Sequence, residues 1–180
     1  MTAAEARFED VFYYLPKNGW LSKPEAKLLW DVAGDSDGPI LEVGCYHGRS
    51  TCLLAALGRP VHAVDPFANF DDGDPSGDKI QDAFVENLCS RNLFGNVCLY
   101  RQSVESWTPR PCGFAYLDGD HTYDGTLRQV EKALACGARM IAAHDVNDDG
   151  GGKDVRDACL KLLGPWQERV ERLAWWEVKR

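Results

Sequence analysis

Four side chains with the donor atoms of a metal site or an acid–base pair stand in two short stretches of the chain. Asp118 and His121 are separated by two residues, and His144 and Asp145 directly follow an apolar run. Carboxylate oxygens suit hard cations such as Mg²⁺, whereas imidazole favours Mn²⁺, Fe²⁺ or Zn²⁺. A bound cation lowers the pKa of a coordinated hydroxyl, whose proton a nearby histidine can accept. We predict a metal site at Asp118, His144 and Asp145, with His121 beside it as general base.

The same four residues also fit two other interpretations. Asp118 and Asp120 could form Asx turns, with both histidines serving as hydrogen-bonded loop residues. Alternatively, the site could work without a metal and use His121 or His144 alone as its base. The residue types leave these alternatives open.

A second polar group surrounds two glycines between a strand and a helix. Glu42 lies near the end of a short apolar run, Gly44 and Gly48 frame a tight turn, and Ser50–Leu57 suits a helix. Backbone N–H groups at a helix start can receive a polar ligand, and glycine lets it come close. Glu42 could hold a cationic amino group. An ordinary strand-to-helix turn would also explain this stretch, and Tyr46 removes the dinucleotide-binding pattern G-x-G-x-x-G.

The elements that must position these groups alternate between strands and helices. A capping box at Ser22–Glu25 starts a helix before the first strand. An Asp-, Gly- and Pro-rich stretch at 66–77 predicts a loop, followed by a helix from Asp78 that buries Ile80, Phe84 and Leu88. Strands are predicted at Ile40–Val43, Val61–Val64, Val97–Tyr100, Phe114–Leu117 and Arg139–Ala143, with two more within Trp166–Lys179. The alternation predicts an α/β fold with a mostly parallel sheet and helices on both faces.

Polar residues follow all five of the parallel strands. Because ligands in such sheets bind beyond the carboxyl ends of the strands, these residues are expected to share one rim. Asp65 ends the second strand and suits the two hydroxyls of a ribose, although it also suits a plain turn before Pro66. Gln102 and Ser103 follow the third strand and could flank an adenine ring, or could be ordinary loop residues.

Composition limits the class of protein and of partner. The chain has 180 residues with 44% hydrophobic and 27% charged side chains, as expected of one globular domain. Its net charge of −8 argues against binding to nucleic acid or to an anionic membrane. The acidic start of the chain does not resemble a signal peptide, and no apolar run is long enough to span a membrane. These features favour a cytoplasmic protein.

Seven cysteines are present, and we expect them to be reduced. The number is odd, C-x-x-C is absent, and most lie in apolar segments, namely Cys45, Cys52, Cys89, Cys98 and Cys159. Buried thiols in a reducing compartment explain this pattern better than a disulfide framework or a zinc site with paired cysteines.

Taken together, these motifs resemble a known family. With E-x-G-x-x-x-G-x-S at Glu42–Ser50, and with the stretches Leu117–Tyr123 and Ala143–Val146, the chain resembles methyltransferases of the "methyltransferase domain 24" type. These are class I S-adenosylmethionine enzymes related to macrolide sugar O-methyltransferases and, more distantly, to catechol O-methyltransferases. The resemblance covers about residues 38–146. It implies a single Rossmann-like domain at 38–180 with a seven-stranded sheet whose last strand is antiparallel, preceded by an N-terminal helical segment at 1–37.

The resemblance also implies roles for individual residues. Cofactor-binding residues would be Glu42, Gly44, Tyr46, Gly48 and Ser50 around the methionine moiety, Asp65 at the ribose, Gln102 and Ser103 on the adenine side, and Asp118. In the sugar O-methyltransferases a D-x-x-H stretch supplies a metal ligand and a base, which Asp118 and His121 match. A pair of acidic residues after the fifth strand completes their metal site. Here that pair is His144-Asp145, a departure that weakens the assignment of Mg²⁺.

The expected activity is methyl transfer from S-adenosylmethionine to an oxygen nucleophile of a small molecule, such as a sugar hydroxyl. A divalent metal (Mg²⁺, Mn²⁺ or Fe²⁺) would assist. The alternatives are a metal-independent N- or O-methyltransferase and a non-catalytic S-adenosylmethionine-binding partner or sensor. A nicotinamide-dependent oxidoreductase is disfavoured because the third glycine is missing. The acceptor and the oligomeric state, including a homo-oligomer, stay open.

Overall fold

A seven-stranded sheet organises the chain. The computed structural model describes residues 3–68 and 76–179. Its helices are α1 (Ala3–Tyr13), α2 (Lys23–Asp35), α3 (Arg49–Ala55), α4 (Gly77–Cys89), α5 (Tyr123–Ala135) and α6 (Gly150–Leu163), with a 3₁₀ turn at Phe94–Asn96. Its strands are β1 (Ile40–Val43), β2 (Val61–Val64), β3 (Val97–Tyr100), β4 (Phe114–Leu117), β5 (Met140–Ala143), β6 (Glu168–Val170) and β7 (Leu173–Glu177).

The strand order is β3-β2-β1-β4-β5-β7-β6. Neighbouring strands from β3 to β5 run parallel, and β7 runs antiparallel to both β5 and β6. The predicted α/β fold with a seven-stranded, mostly parallel sheet is therefore confirmed. The chain builds outward from β1 in one direction and then from β4 in the other, and such a reversal opens a ligand-binding crevice at the carboxyl ends of the two strands.

Both faces of the sheet are covered. In β1, Ile40 belongs to one buried cluster, and Leu41 and Val43 belong to another. Because side chains alternate across a strand, these are the two faces of the sheet. The first cluster includes side chains of α1 to α4, such as Leu29 and Phe84, and the second includes side chains of α5 and α6. Buried parallel strands of this kind are uniformly apolar, which makes Glu42 in β1 conspicuous.

Local sequence signals explain several element boundaries. Ser22 caps α2, forms the predicted capping box with Glu25, and is followed by a proline in the first turn. Helix α4 buries Ile80, Phe84 and Leu88, as their helical spacing predicts. Most of the predicted loop at 66–77 falls on residues 69–75, which lie outside the described residues. None of the described helices has both the length and the apolar character needed to cross a membrane.

All seven cysteines are free, but two of them do not have the expected burial. Cys89 and Cys98 are exposed, whereas Cys45, Cys52 and Cys159 are buried as expected. Cys98 lies on β3, an edge strand of the sheet, and Cys89 is the last residue of an amphipathic helix. An apolar neighbourhood in the sequence therefore did not guarantee burial at these two positions.

Candidate active site

The two glycines of the loop after β1 are required by close packing. Gly44 has φ +83°, and a Cβ at this position would lie 2.1 Å from the carbonyl oxygen of Asp118. Gly48 has φ +82° and precedes α3, with the ring of Phe84 3.0 Å from the place of a Cβ. The left-handed backbone disfavours other residues at both positions, and at Gly44 a Cβ would also clash with the backbone of Asp118. The loop after β1 consequently contacts the loop after β4 directly, at the crevice between these strands.

Asp65, at the end of β2, holds the glycine loop in place. One of its carboxylate oxygens accepts hydrogen bonds from the backbone N–H groups of Cys45 (2.6 Å) and Tyr46 (2.9 Å), and the other accepts one from Phe67 (2.6 Å). A carboxylate offers about four acceptor positions, so little capacity is left for a ligand hydroxyl. Both Tyr46 and Phe67 have positive φ, 45° and 50°, a strain that clusters at functional sites.

Glu42 is buried under the same loop. It has no exposed surface, and its Oε1 accepts a 2.5 Å hydrogen bond from the hydroxyl of Ser50. Its Oε2 is one of the buried side-chain oxygens without a hydrogen-bond partner among the described residues. Burial raises the pKa of Glu42 to about 8, with Ser50 and Thr51 opposing that shift. The orphaned oxygen is a buried polar atom that a ligand group in the crevice could pair with.

The loop after β4 is fixed by side chains of α5. Gln129 accepts from the backbone N–H of Gly119 (3.1 Å) and donates to the carbonyl of Asp120 (2.7 Å). Asp120 in turn accepts from the backbone of Thr122, which caps α5 by accepting from Gly125. Helix α5 thereby fixes the loop that carries Asp118 and His121 beside the glycine loop.

Two carboxylates and two imidazoles meet at the ends of β4 and β5. Asp118 Oδ1 lies 3.5 Å from both His121 Nε2 and His144 Nδ1. Asp145 Oδ2 lies 3.6 Å from the same two nitrogens. Asp145 has φ 56°, another strained position, and the hydroxyl of buried Tyr116 donates to Asp118 Oδ2 at 3.1 Å. The four residues predicted from the sequence therefore do form one cluster.

The arrangement fits a cation. Among the described residues, one oxygen or nitrogen each from Asp118, His121 and Asp145 all lie within 4.8 Å of one another. Ligands at right angles around Mg²⁺ or a similar ion are about 3 Å apart, so small shifts would complete such a site. The sequence prediction grouped His144 with the two carboxylates and kept His121 as a base. The geometry brings His121 equally close to both carboxylates.

The charges of the cluster are coupled. Burial opposes the charged form of Asp118, but hydrogen bonds from His121 and His144 lower its pKa overall. The interaction with His144 lowers the pKa of Asp145 to about 2. The pKa of His121 is raised, chiefly by Asp118. Burial works against the charge of His144, but Asp118, Asp145 and Glu25 raise its pKa nonetheless. The carboxylates thus favour the positively charged form of both imidazoles, just as they would favour a bound cation.

Two residues near the cluster were missed by the sequence analysis. Glu25 of α2 lies 3.3 Å from His144 Nε2, and both side chains are almost fully buried. Arg172, between β6 and β7, reaches Asp145 Oδ1 at 3.4 Å. Glu25 carried a signal, but it was interpreted only as half of the capping box. Nothing in the sequence near Arg172 indicated its contact.

The residues predicted for the adenine side follow β3, next to β2 in the sheet. Gln102 and Ser103 are half-buried, and Ser103 Oγ lies 3.3 Å from Ser106 Oγ. They stand on the same rim as Asp65, because β2 and β3 are parallel and in register.

Comparison with known proteins gives both a family and a fold. The profile of a family described as "methyltransferase domain" matches residues 41–145. Among solved structures, an O-methyltransferase from Bacillus cereus in complex with SAH shares 18% identity at a TM-score of 0.63, over 99% of this chain and 92% of that one. The O-methyltransferase TomG of tomaymycin synthesis from Streptomyces achromogenes, in complex with SAM, shares 15% identity at a TM-score of 0.66, over 100% and 91%.

A TDP-rhamnose 3′-O-methyltransferase of calicheamicin biosynthesis is similar as well. It shares 20% identity at a TM-score of 0.62, over 97% of this chain and 92% of that one. At such identities these likenesses show the fold. A search among curated proteins finds no match.

Proposed function

Since the chain belongs to the methyltransferase domain family, we propose that it methylates an oxygen nucleophile of a small molecule, such as a sugar hydroxyl, with the help of a divalent metal. As an S-adenosylmethionine-dependent methyltransferase, it uses that cofactor as methyl donor. The observation that carries the proposal is the direct contact between the glycine loop and the loop of Asp118. In this arrangement the methyl donor would lie next to a cluster whose side chains could bind a cation.

The cofactor site would follow the rim of the sheet. Glu42 and the glycine loop would face the methionine end, Asp65 the ribose, and Gln102 and Ser103 the adenine side. Three backbone N–H groups already occupy Asp65, so about one of its four acceptor positions is left for a ribose hydroxyl. Glu42, which has no exposed surface, acts from beneath the loop through its free oxygen.

The reaction is an in-line displacement at a sulfonium methyl group, so the protein mainly contributes positioning and nucleophile activation. Asp118, Asp145 and His144 would hold a cation, which when bound lowers the pKa of the acceptor hydroxyl. His121 takes the proton from that hydroxyl. Asp118 raises the pKa of His121 and so favours the protonated ring, which cannot accept a further proton. His121 therefore becomes an effective base only once the negative charge of the carboxylates is compensated.

The proposal is tested by incubating the protein with methyl-labelled S-adenosylmethionine and a panel of sugars, phenols and amines. We expect label on oxygen for at least one hydroxyl acceptor. Asp145→Asn should abolish this transfer, and Asp148→Asn should not, because Asp148 belongs to the same loop but is exposed and pairs with Arg156. Transfer of the labelled methyl group to a nitrogen atom instead would show that the acceptor is an amine and not a hydroxyl. Binding of S-adenosylhomocysteine without transfer to any acceptor would favour a sensor.

A further inference from the structure

We infer that Glu25 of α2 is a positioning residue for the metal cluster, acting through the ring of His144. The inference rests on the proposed function, because it concerns how the same cluster is held. It assigns a part of the site to the helical segment that precedes the methyltransferase domain match, which begins at residue 41.

The contact between Glu25 and His144 is buried. The two side chains are 3% and 2% exposed, and Glu25 Oε1 lies 3.3 Å from His144 Nε2. Nε2 is a buried ring nitrogen without a well-aligned hydrogen bond among the described residues, and the carboxylate of Glu25 at 3.3 Å is an acceptor within its reach. Nε2 is the ring nitrogen on the side of Glu25, and the other nitrogen, Nδ1, lies 3.5 Å from Asp118 and 3.6 Å from Asp145.

Glu25 is itself held from two sides. Its Oε2 accepts from the backbone N–H of Ser22 at 2.9 Å, and its Oε1 accepts from the backbone N–H of Arg172 at 3.0 Å. Arg172 also reaches Asp145 at 3.4 Å. The carboxylate therefore joins α2, the turn between β6 and β7, and the ring of His144 into one support.

This chain of contacts has a known chemical use. A carboxylate that accepts the N–H of a histidine fixes the orientation of the ring and leaves its other nitrogen available to a metal, and loss of such a partner typically lowers metal affinity about 10- to 100-fold. Here the carboxylate comes from 119 residues earlier in the chain, not from the strand that carries His144.

The test compares Glu25→Ala, Glu25→Gln and Ser22→Ala with the wild-type protein. Glutamine keeps an acceptor oxygen for His144, whereas alanine removes it. Ser22→Ala is the control, since it removes the hydroxyl that caps α2 and donates to Glu171 but leaves the backbone N–H of Ser22 and the contact between Glu25 and His144 in place.

The first readout is nuclear magnetic resonance of the His144 ring in metal-free protein. In the wild type we expect an Nε2-bound proton that exchanges slowly with solvent. This signal should be lost in Glu25→Ala, be retained in Ser22→Ala, and be recovered at least in part in Glu25→Gln. An unchanged signal in Glu25→Ala would overturn the inference.

The second readout is calorimetric titration with Mn²⁺ alone. We expect the affinity to fall about 10- to 100-fold in Glu25→Ala and to recover most of that loss in Glu25→Gln. Wild-type affinity in Glu25→Ala, with loss in Asp145→Asn, would overturn the role of Glu25 and keep the metal site. If the wild-type protein binds no Mn²⁺, the proposed metal is wrong, and the ring signal alone then decides whether Glu25 positions His144.

Discussion

A buried carboxyl group under the glycine loop makes the stability of this protein depend on pH. Glu42 has a pKa of about 8 in the folded chain against an ordinary value of 4.5, because burial disfavours its charged form. The folded state therefore keeps a proton that the unfolded state releases between pH 4.5 and 8. Stability from this group is full at low pH and is lost as the pH rises through that window.

Glu42→Gln should remove this dependence. The amide keeps an oxygen for Ser50 and carries no charge, so the variant should lose less stability than the wild type between pH 5 and pH 8. The difference should reach about 3–4 kcal/mol, from about 1.4 kcal/mol per unit of pKa shift. Urea unfolding at both pH values measures it. Glu86→Gln, at an exposed position of α4, is the control, and equal pH dependence in all three proteins would contradict the assignment.

His121 is proposed to act as a general base, and this role must be distinguished from that of a metal ligand. If His121 is the base, His121→Ala should lower the rate of methyl transfer by about 10²–10⁴. The content of bound metal, measured by atomic emission after dialysis, should stay at the wild-type value. Loss of metal together with activity would make His121 a ligand, as its equal distances to Asp118 and Asp145 also permit.

At the scale of elements, the contact between the loop after β1 and the loop after β4 depends on Gly44. Gly44→Ala should both strain the left-handed backbone and clash with the carbonyl of Asp118. Gly58→Ala offers a matched control, because Gly58 has a similar φ of +80° but no atom within 4 Å of a Cβ.

We expect Gly58→Ala to cost about 1–2 kcal/mol, the ordinary penalty of left-handed backbone. Gly44→Ala should cost distinctly more and should also weaken the binding of S-adenosylhomocysteine. Denaturant unfolding and calorimetry test the two effects. Equal destabilisation with unchanged affinity would show that the packing of Gly44 against Asp118 is unimportant.

Elements were the part of the fold that the sequence predicted best. Four of the five parallel strands begin and end where their apolar runs do, and β5 begins one residue later, at Met140. Buried parallel strands are continuous apolar segments, so their limits are visible locally. Contacts between distant elements are not. The sequence explained Glu25 as part of a capping box within four residues. Its contacts with His144 and with Arg172, which lies 147 residues further along the chain, were therefore not predicted.

At the scale of the whole molecule, the sheet topology explains why the residues of the candidate site could be expected on one rim. Parallel strands bring their carboxyl ends to one rim, so Asp65, Asp118 and Asp145 were expected to lie near one another before any distance was known. What the sequence did not reveal is how each carboxylate is used. Asp65 accepts two hydrogen bonds from the glycine loop and one from Phe67, and the path of these loops could not be predicted from the sequence.

The central claim is that a donor site and a metal-assisted acceptor site meet at this rim. The most direct test is the rate of methyl transfer from S-adenosylmethionine to the best oxygen acceptor, measured after exhaustive chelation and again after Mg²⁺, Mn²⁺ or Fe²⁺ is returned. We predict that chelation abolishes transfer and that at least one of these ions restores it, while S-adenosylhomocysteine binds throughout. Full activity in the presence of chelator would contradict the metal-assisted mechanism.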